Sequence, residues 1–538
     1  MVRHCSSDKP ADSFHEKNAY PALSEKNRSI LKESNAILDK CRGRAQKRTR
    51  NKIALILPRK GGRPSFGLLY IGAYLLDNRF EVRIFDFLDE LYPPNIRYNR
   101  RIWRKLFEFD PDFIGCNVIS STAKIVQGLI AQIKNKIPDI VITCGGKHAT
   151  SNPEDLLSHN ADYCAIGEAE VTIVELLDAL NFNESLDEVA GIACLKNGEI
   201  HKTGERPVLP LDYLLRPAFD LIDYAKYVNF RFQGIPGHYL RTGFIFGSRG
   251  CPYRCKFCTT QSRGSYRERS IDDLINEMEW QIERYDVEGF VILDDLFYFR
   301  EERTAEFCKK IVKRGIKAKF FCHVRVDRVT RETVELMKKA GFLLLAVGVE
   351  SGSQKLLDAM NKGTIVEQIE NAFEIYNEIG INTFAFIIVG HPDETDNDRE
   401  LTKQLLKRIK PTHVPVSYYV PMPGTPSYDF ETDRAKYLLG GDNFQGFSYL
   451  TDDPEFSTTI PLEKLKKIGN EFEGLSTVNR NLNLFTYPAF IFFIVKFLLF
   501  HPFVIMEALY LRYIEHQTHQ MSFIAVLKDA IQFYKQRF

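Results

Sequence analysis

The alternation of short apolar runs with longer stretches of helical spacing, repeated twice along the chain, constrains the fold more than any other feature. In the first stretch IALIL (53–57), EVRIFDF (81–87), FIGCNVI (113–119), IVITCGG (140–146) and DYCAIGE (162–168) read as strands. Between them LLYIGAYLLDN, TAKIVQGLIAQIKNK and VTIVELLDAL carry helical periodicity. Near-continuous apolar strands separated by helices predict an open, doubly wound, Rossmann-like parallel sheet covered on both faces. A ligand of such a sheet lies at the carboxyl ends of its strands. By itself the layout admits a flavin, a nucleotide or no ligand. The second stretch runs from Thr242 to about Ser427 and contains six strand–helix units, from GFIFGSRG to HVPVSYYVPMPGT. Six units predict a partial (β/α)6 barrel of the TIM type, with reactive groups at the strand ends.

At 538 residues the chain exceeds what one core organises, so about three units are expected. We divide it into a polar, flexible basic extension (1–50), the first sheet domain (51–180), a linker with a small hairpin turning at Asn197-Gly198 (181–239), the barrel (240–430) and a helical region (431–538). The extension ends in the basic run CRGRAQKRTRNK, which reads as a solvated arm or as a contact for anionic lipid headgroups. A formal charge of +2 gives no argument for a nucleic-acid partner, and none is expected. The amino-terminal residues lack the apolar core of a secretory signal, so a cytoplasmic location is expected.

Chemistry concentrates in GSRGCPYRCKFCTT, where Cys251, Cys255 and Cys258 are spaced CxxxCxxC. Three adjacent thiolates can ligate three irons of a cubane and leave the fourth open. Structural zinc needs four closed ligands, and no second pair lies nearby. The total of 11 cysteines is odd, and the others are scattered in apolar segments, as in a reducing compartment. Cys116, Cys144, Cys164, Cys194, Cys308 and Cys322 read as small buried hydrophobes.

With glycines ahead of it and a proline and aromatics inside it, this segment resembles the radical S-adenosylmethionine (SAM) enzymes. The resemblance implies a [4Fe-4S] cluster on the three cysteines, SAM on the open iron, a 5'-deoxyadenosyl radical as product, and an external one-electron reductant such as flavodoxin or ferredoxin. It implies further SAM contacts in chain order: Phe257 over the cluster and adenine, Asp294 or Asp295 near the amino group, Arg325 at the carboxylate, Glu350 and Ser351 of GVESGSQ at the adenosyl part, then Gly390 of GHPDET. PMPGT (421–425) would form a backbone shelf. Residue chemistry leaves alternatives open: Asp295 as a helix N-cap, Arg325 in an ion pair with Asp327, Glu394 as a helix cap. Tyr266, Arg267 and Arg269 of SYRERS are candidates for a cobalamin or substrate phosphate contact, or a solvated loop.

The loops PRKGGRPSFGLLYIGAYL, CGGKHAT and AIGEAE resemble the cobalamin-binding domain that precedes the radical domain in B12-dependent radical SAM enzymes. Gly145 and Gly146 would let the backbone approach a flat macrocycle, with Gly67 opening the first helix beside it; ordinary strand-to-helix turns are the other reading. The Asp-x-His-x-x-Gly segment of many B12 proteins is missing, so His148 is expected as a loop or headgroup contact rather than a cobalt ligand.

The family implies methyl transfer to an unactivated carbon, or radical ring closure or oxidation as in the anaerobic cyclase of bacteriochlorophyll synthesis. A cobalamin-binding sensor without catalysis is the non-enzymatic alternative. The apolar run at 484–500, interrupted by Lys496, with Pro488 near its start and Pro502 just past its end, is short for a bilayer span. It reads as a monotopic insertion, peripheral on the inner face of the cell membrane, or as a buried hairpin or dimer face. Membrane contact would favour a hydrophobic small-molecule substrate, a lipid or a tetrapyrrole.

Overall fold

The computed structural model of the chain describes residues 23–58, 64–87, 96–228, 240–260, 265–428 and 460–477. The first domain holds β1 (Lys52–Leu57), β2 (Glu81–Asp86), β3 (Phe113–Asn117), β4 (Val141–Gly145), β5 (Tyr163–Ala165), β6 (Ile192–Lys196) and β7 (Glu199–Lys202), in sheet order β2-β1-β3-β4-β5-β6-β7. β1 to β5 pair in parallel. Within β1, Ala54 and Ile56 enter one core with Ile114 and Ile142, while Ile53, Leu55 and Leu57 enter another. Burial on both faces is why the run carries no alternation. The chain leaves β1 toward β2 and returns on the other side to β3, which makes the β1/β3 boundary the switch point where such sheets bind ligands.

Two expectations change. The hairpin assigned to a linker is part of the first sheet, because β6 pairs antiparallel with β5 and β7 with β6. The basic extension is ordered from residue 25, where the helix Glu25–Gly43 packs on the domain. Its cations are held by carboxylates far away in sequence: Arg48 pairs with Asp178 at 2.8 Å, both side chains fully buried, and Arg44 pairs with Asp178 and Glu184. Arg44 is the reason that the Glu184 carboxyl sits down at about 2. These arginines are therefore not a solvated arm or a lipid-binding face.

The second sheet comprises β8 (Thr242–Ile245), β11 (Gly289–Ile292), β12 (Lys319–Val324), β13 (Phe342–Glu350), β14 (Asn382–Val389) and β15 (Val416–Tyr418), all parallel and in chain order. A curled parallel sheet with helices between successive strands is the partial barrel that the six units predict. The antiparallel pair β9 (Ser248–Cys251) and β10 (Ser265–Glu268) is inserted after β8. Under the helical layer, Phe307 contacts Phe320 edge-on with ring centroids 5.5 Å apart, and Phe320 lies 5.2 Å from Phe342. Such pairs add to the burial of their area and fix the strands beneath the site.

Of the carboxyl-terminal region, the helix Leu462–Glu473 buries Leu465 and Phe472 against the barrel core, and the Val414 amide donates to Ser476 Oγ at 3.1 Å. The run at 484–500 lies outside the described residues. Among the described residues no helix is long and apolar enough to cross a membrane.

Candidate functional site

The cysteine loop starts where β9 ends, at Cys251, which faces Ser265 in the hairpin register. Cys255 is buried, while Cys251 and Cys258 are half-buried. Burial pushes the Cys251 thiol up to about 11, and nearby Cys258, Asp295 and Cys255 push it further the same way. Burial also raises Cys255, opposed by the cations of Lys362 and Arg325. Thiolates gathered in this way need positive charge, which a cationic iron centre supplies. Among the described residues no three His, Cys, Asp or Glu side chains converge as ligands on a single ion do. Three thiols within electrostatic reach of one another are the donor set that a [4Fe-4S] cluster takes from its protein, one sulfur to each of three irons.

Asp294 fixes the approach to this loop. Its carboxylate accepts from the Gly247 amide at 2.7 Å and from Ser248 Oγ at 2.6 Å, and burial lifts its pKa to about 6. Asp295 faces the loop itself, accepting from Thr260 Oγ1 at 3.1 Å. It is not a helix N-cap, because the next helix starts at Glu301 behind Arg300. Arg325 stacks 3.5 Å over the Tyr253 ring, donates to Asp327 at 3.0 Å and to the Lys362 carbonyl at 2.9 Å. Tyr253 in turn donates to Asp327. The ion pair of Arg325 with Asp327 is present, beside Cys255.

Glu350 ends β13 in a left-handed conformation, φ 63°. For a residue with a Cβ that costs roughly 1–2 kcal/mol. It is held by Lys362, whose ammonium donates to Glu350 at 2.7 Å with both side chains buried. A Cβ on Gly348 would fall 2.5 Å from both charged groups, so this glycine clears their space. The Lys362 ammonium also lies 5.9 Å from the Phe257 ring centre, and Phe257 packs on the cluster formed by Leu356, Met360, Ile388 and Tyr419.

The sequence reading missed Lys362. Its one local signal is a cation between Asn361, φ 51°, and Gly363, φ 66°, in a tight turn after a short helix.

Ser351 faces inward to Thr402 Oγ1 at 3.2 Å, and a Cβ on Gly352 would meet the backbone of Leu401 and Thr402 at 2.6 Å. That part of GVESGSQ seats the helix Asp396–Ile409. The Gly390 amide, φ 86°, donates to Glu394 at 2.7 Å. The cap of the helix is Thr395, in a reciprocal box with Asp398, and not Glu394. In PMPGT, a Cβ on Gly424 would touch Ser151 of the first domain at 2.7 Å, so the segment is also a domain contact.

Both domains line one cleft of about 420 Å³. From the first come Gly67, Gly115, Gly145, Gly146 and Gly167 with apolar Leu55 and Ile71; from the second come Ser248, Arg249, Gly250, Thr260 and Asp295. A Cβ on Gly67 would enter open space, and one on Gly145 would meet only Ala165 at 3.9 Å, so at these two positions the cleft floor is bare backbone, while a Cβ on Gly115 would meet Leu55 at 2.8 Å. Gly146, φ 102°, is glycine for a different reason, since a Cβ would collide with Asn117 at 2.5 Å. In the wall, the buried Thr143 Oγ1 has no hydrogen-bond partner among the described residues. Glycine backbone and apolar side chains on one side of the cleft, with an unsatisfied hydroxyl in its wall, fit a macrocycle bearing polar groups.

His148 is placed otherwise than a headgroup contact requires. Its ring is fully buried, with Nδ1 3.1 Å from Ser120 Oγ and Nε2 2.9 Å from Asp155, and Lys147 lines the cleft in its stead. Arg269 is likewise committed inside the barrel, to Asp273 and Glu277. Arg267 reaches Glu168 of the first domain.

Comparison with known proteins agrees with this geometry. Residues 54–177 match the B12 binding domain and 245–406 match the radical SAM superfamily. The chain is 26% identical over 413 residues to an uncharacterised methyltransferase of Pyrococcus horikoshii, covering 76% of this chain and 84% of that one. It is 27% identical over 348 residues to the anaerobic magnesium-protoporphyrin IX monomethyl ester cyclase of Cereibacter sphaeroides, covering 63% and 56%. Its fold is similar to the radical SAM methyltransferase TsrM of Kitasatospora setae, solved with cobalamin and a [4Fe-4S] cluster, at a TM-score of 0.60, 18% identity and coverage of 72% and 79%. With the two domains in this order and three cysteines where they meet, the chain belongs to the B12-binding radical SAM enzymes, whose cofactors are a [4Fe-4S] cluster, SAM and cobalamin.

Proposed function

We propose that this enzyme methylates an unactivated carbon of a hydrophobic substrate, a lipid or a tetrapyrrole. The observation that carries the reading is the shared cleft, in which the glycine floor of the B12-binding domain faces the strand that delivers Cys251. When bound, the cluster and one SAM would supply a 5'-deoxyadenosyl radical to take a hydrogen atom from the substrate, and cobalamin would carry the methyl group that it receives from a second SAM. The chain's own residues provide position. Cys251, Cys255 and Cys258 would hold iron, Asp294 sets the backbone of Gly247 and Ser248 ahead of them, and Asp295 would offer a carboxylate to the amino end of SAM. Thr143, Gly67, Gly145 and Gly146 form the cobalamin surface. An external one-electron reductant completes the system.

An apolar substrate is supported by the inner barrel wall. Phe384 and Phe386 alternate with the fully buried Ala385 and Ile387, so they face away from the helices, half-buried and 6.2 Å apart, near Phe321 and His323. Similarity to the cyclase, which acts on a tetrapyrrole ester by name, favours the same class and keeps ring closure or oxidation as the second reading. Anaerobic incubation with methyl-labelled SAM and lipid or pigment extracts is expected to give labelled product and 5'-deoxyadenosine. Deoxyadenosine without label would move the reaction to ring closure or oxidation; no cleavage of SAM would leave a cobalamin-binding sensor.

We further propose that the run at 484–500 anchors the protein at a membrane surface. Truncation after about residue 481 is expected to shift the protein from the membrane to the soluble fraction. An unchanged distribution would overturn the anchor.

A further inference from the structure

The hairpin that delivers Cys251 contains an electrostatic conflict. In the β9–β10 register Arg267 stands directly opposite Arg249, and like charges at directly opposed positions of an antiparallel pair are destabilising. Solvent relieves little of this, because the two side chains are only 19% and 20% exposed. The neutralising groups lie in the other domain, on the AIGEAE loop after β5. Glu168 accepts from Arg249 at 2.8 Å with one oxygen and from Arg267 with the other, and Glu170 accepts from Arg249 at 2.8 Å. Arg249 is also stacked 4.7 Å over the ring of Tyr70 in the first helix of the B12-binding domain. Glu168, Glu170, Tyr70 and Arg249 all line the cleft.

We propose that Glu168 is a positioning residue for the iron centre: by bridging Arg249 and Arg267 it lets the cluster hairpin close, so that the cysteine loop is assembled only against the B12-binding domain. This rests on the functional reading above. It adds a coupling between the two cofactor sites. A ligand seated in the cleft over Glu168, Glu170 and Arg249 stabilises the same hairpin that holds Cys251, and linkage makes the effect reciprocal: cobalamin strengthens retention of iron as much as the cluster strengthens binding of cobalamin.

The test compares wild type, Glu168→Gln, Arg267→Gln and the double variant, each the full chain, purified without oxygen and reconstituted with iron and sulfide. Folding is checked by circular dichroism; the readouts are iron per chain and the lifetime of the visible cluster absorption under a chelator, with and without hydroxocobalamin. In wild type hydroxocobalamin is expected to lengthen that lifetime. Glu168→Gln is expected to lose its cluster roughly tenfold faster, the size of coupling usual within one charge network, and to lose the protection. The double variant no longer opposes two cations and is expected to return to the lifetime of Arg267→Gln alone. The proposal is overturned if Glu168→Gln keeps the wild-type lifetime and protection, or if the double variant is as labile as Glu168→Gln. Wild type that takes up neither iron nor cobalamin would instead sink the functional reading, and this proposal with it.

Discussion

Cys255→Ala is expected to give a folded protein that retains no stable cluster and makes no 5'-deoxyadenosine from SAM. Cys255 is the most buried of the three proposed ligands, with the cations of Lys362 and Arg325 beside it. Cys308→Ala is the matched control. Cys308 is fully buried in the outer helical layer, where burial pushes its thiol up to about 12, so it behaves as a small hydrophobe. Its loss should cost about 1 kcal/mol of stability and leave iron content unchanged. Iron analysis and deoxyadenosine yield on the two variants decide the matter; equal losses would contradict the assignment of ligands.

The second large effect is expected at Lys362. Removing one partner of a buried ion pair leaves the other charge uncompensated, at a cost of about 3–5 kcal/mol. Lys362→Met would strand Glu350 in its left-handed conformation beneath the cysteine loop. Chemical denaturation should show a loss of that size, and reconstitution should yield less iron. Glu350→Gln combined with Lys362→Met removes both charges and should recover most of the stability. If the double variant is as unstable as the single one, the cost lies in packing, not in charge.

The contrast between these two positions shows what a sequence can reveal. The cysteines were legible because their ligand spacing is local, and both sheets were legible because burial on two faces writes itself as apolar runs such as IALIL. Lys362 was not, because its partner is Glu350 across a helix and a turn. The basic run at residues 41–52 failed for the same reason: its meaning depends on Asp178 and Glu184, more than 100 residues away. His148 and Ser351 sit in motifs at strand ends, where chain position alone does not distinguish a side chain facing the cleft from one holding the loop behind it. The charge bridge at Glu168 needed both the hairpin register and the docking of two domains.

Mössbauer spectra of anoxically reconstituted wild-type protein, recorded with and without SAM, would show whether three cysteines hold a cubane with one open corner at the mouth of the B12 cleft. About four irons per chain in a [4Fe-4S] cluster are expected, with a distinct change at one iron site when SAM is added. A protein that binds no iron, or whose cluster spectrum does not respond to SAM, would contradict this ligand assignment.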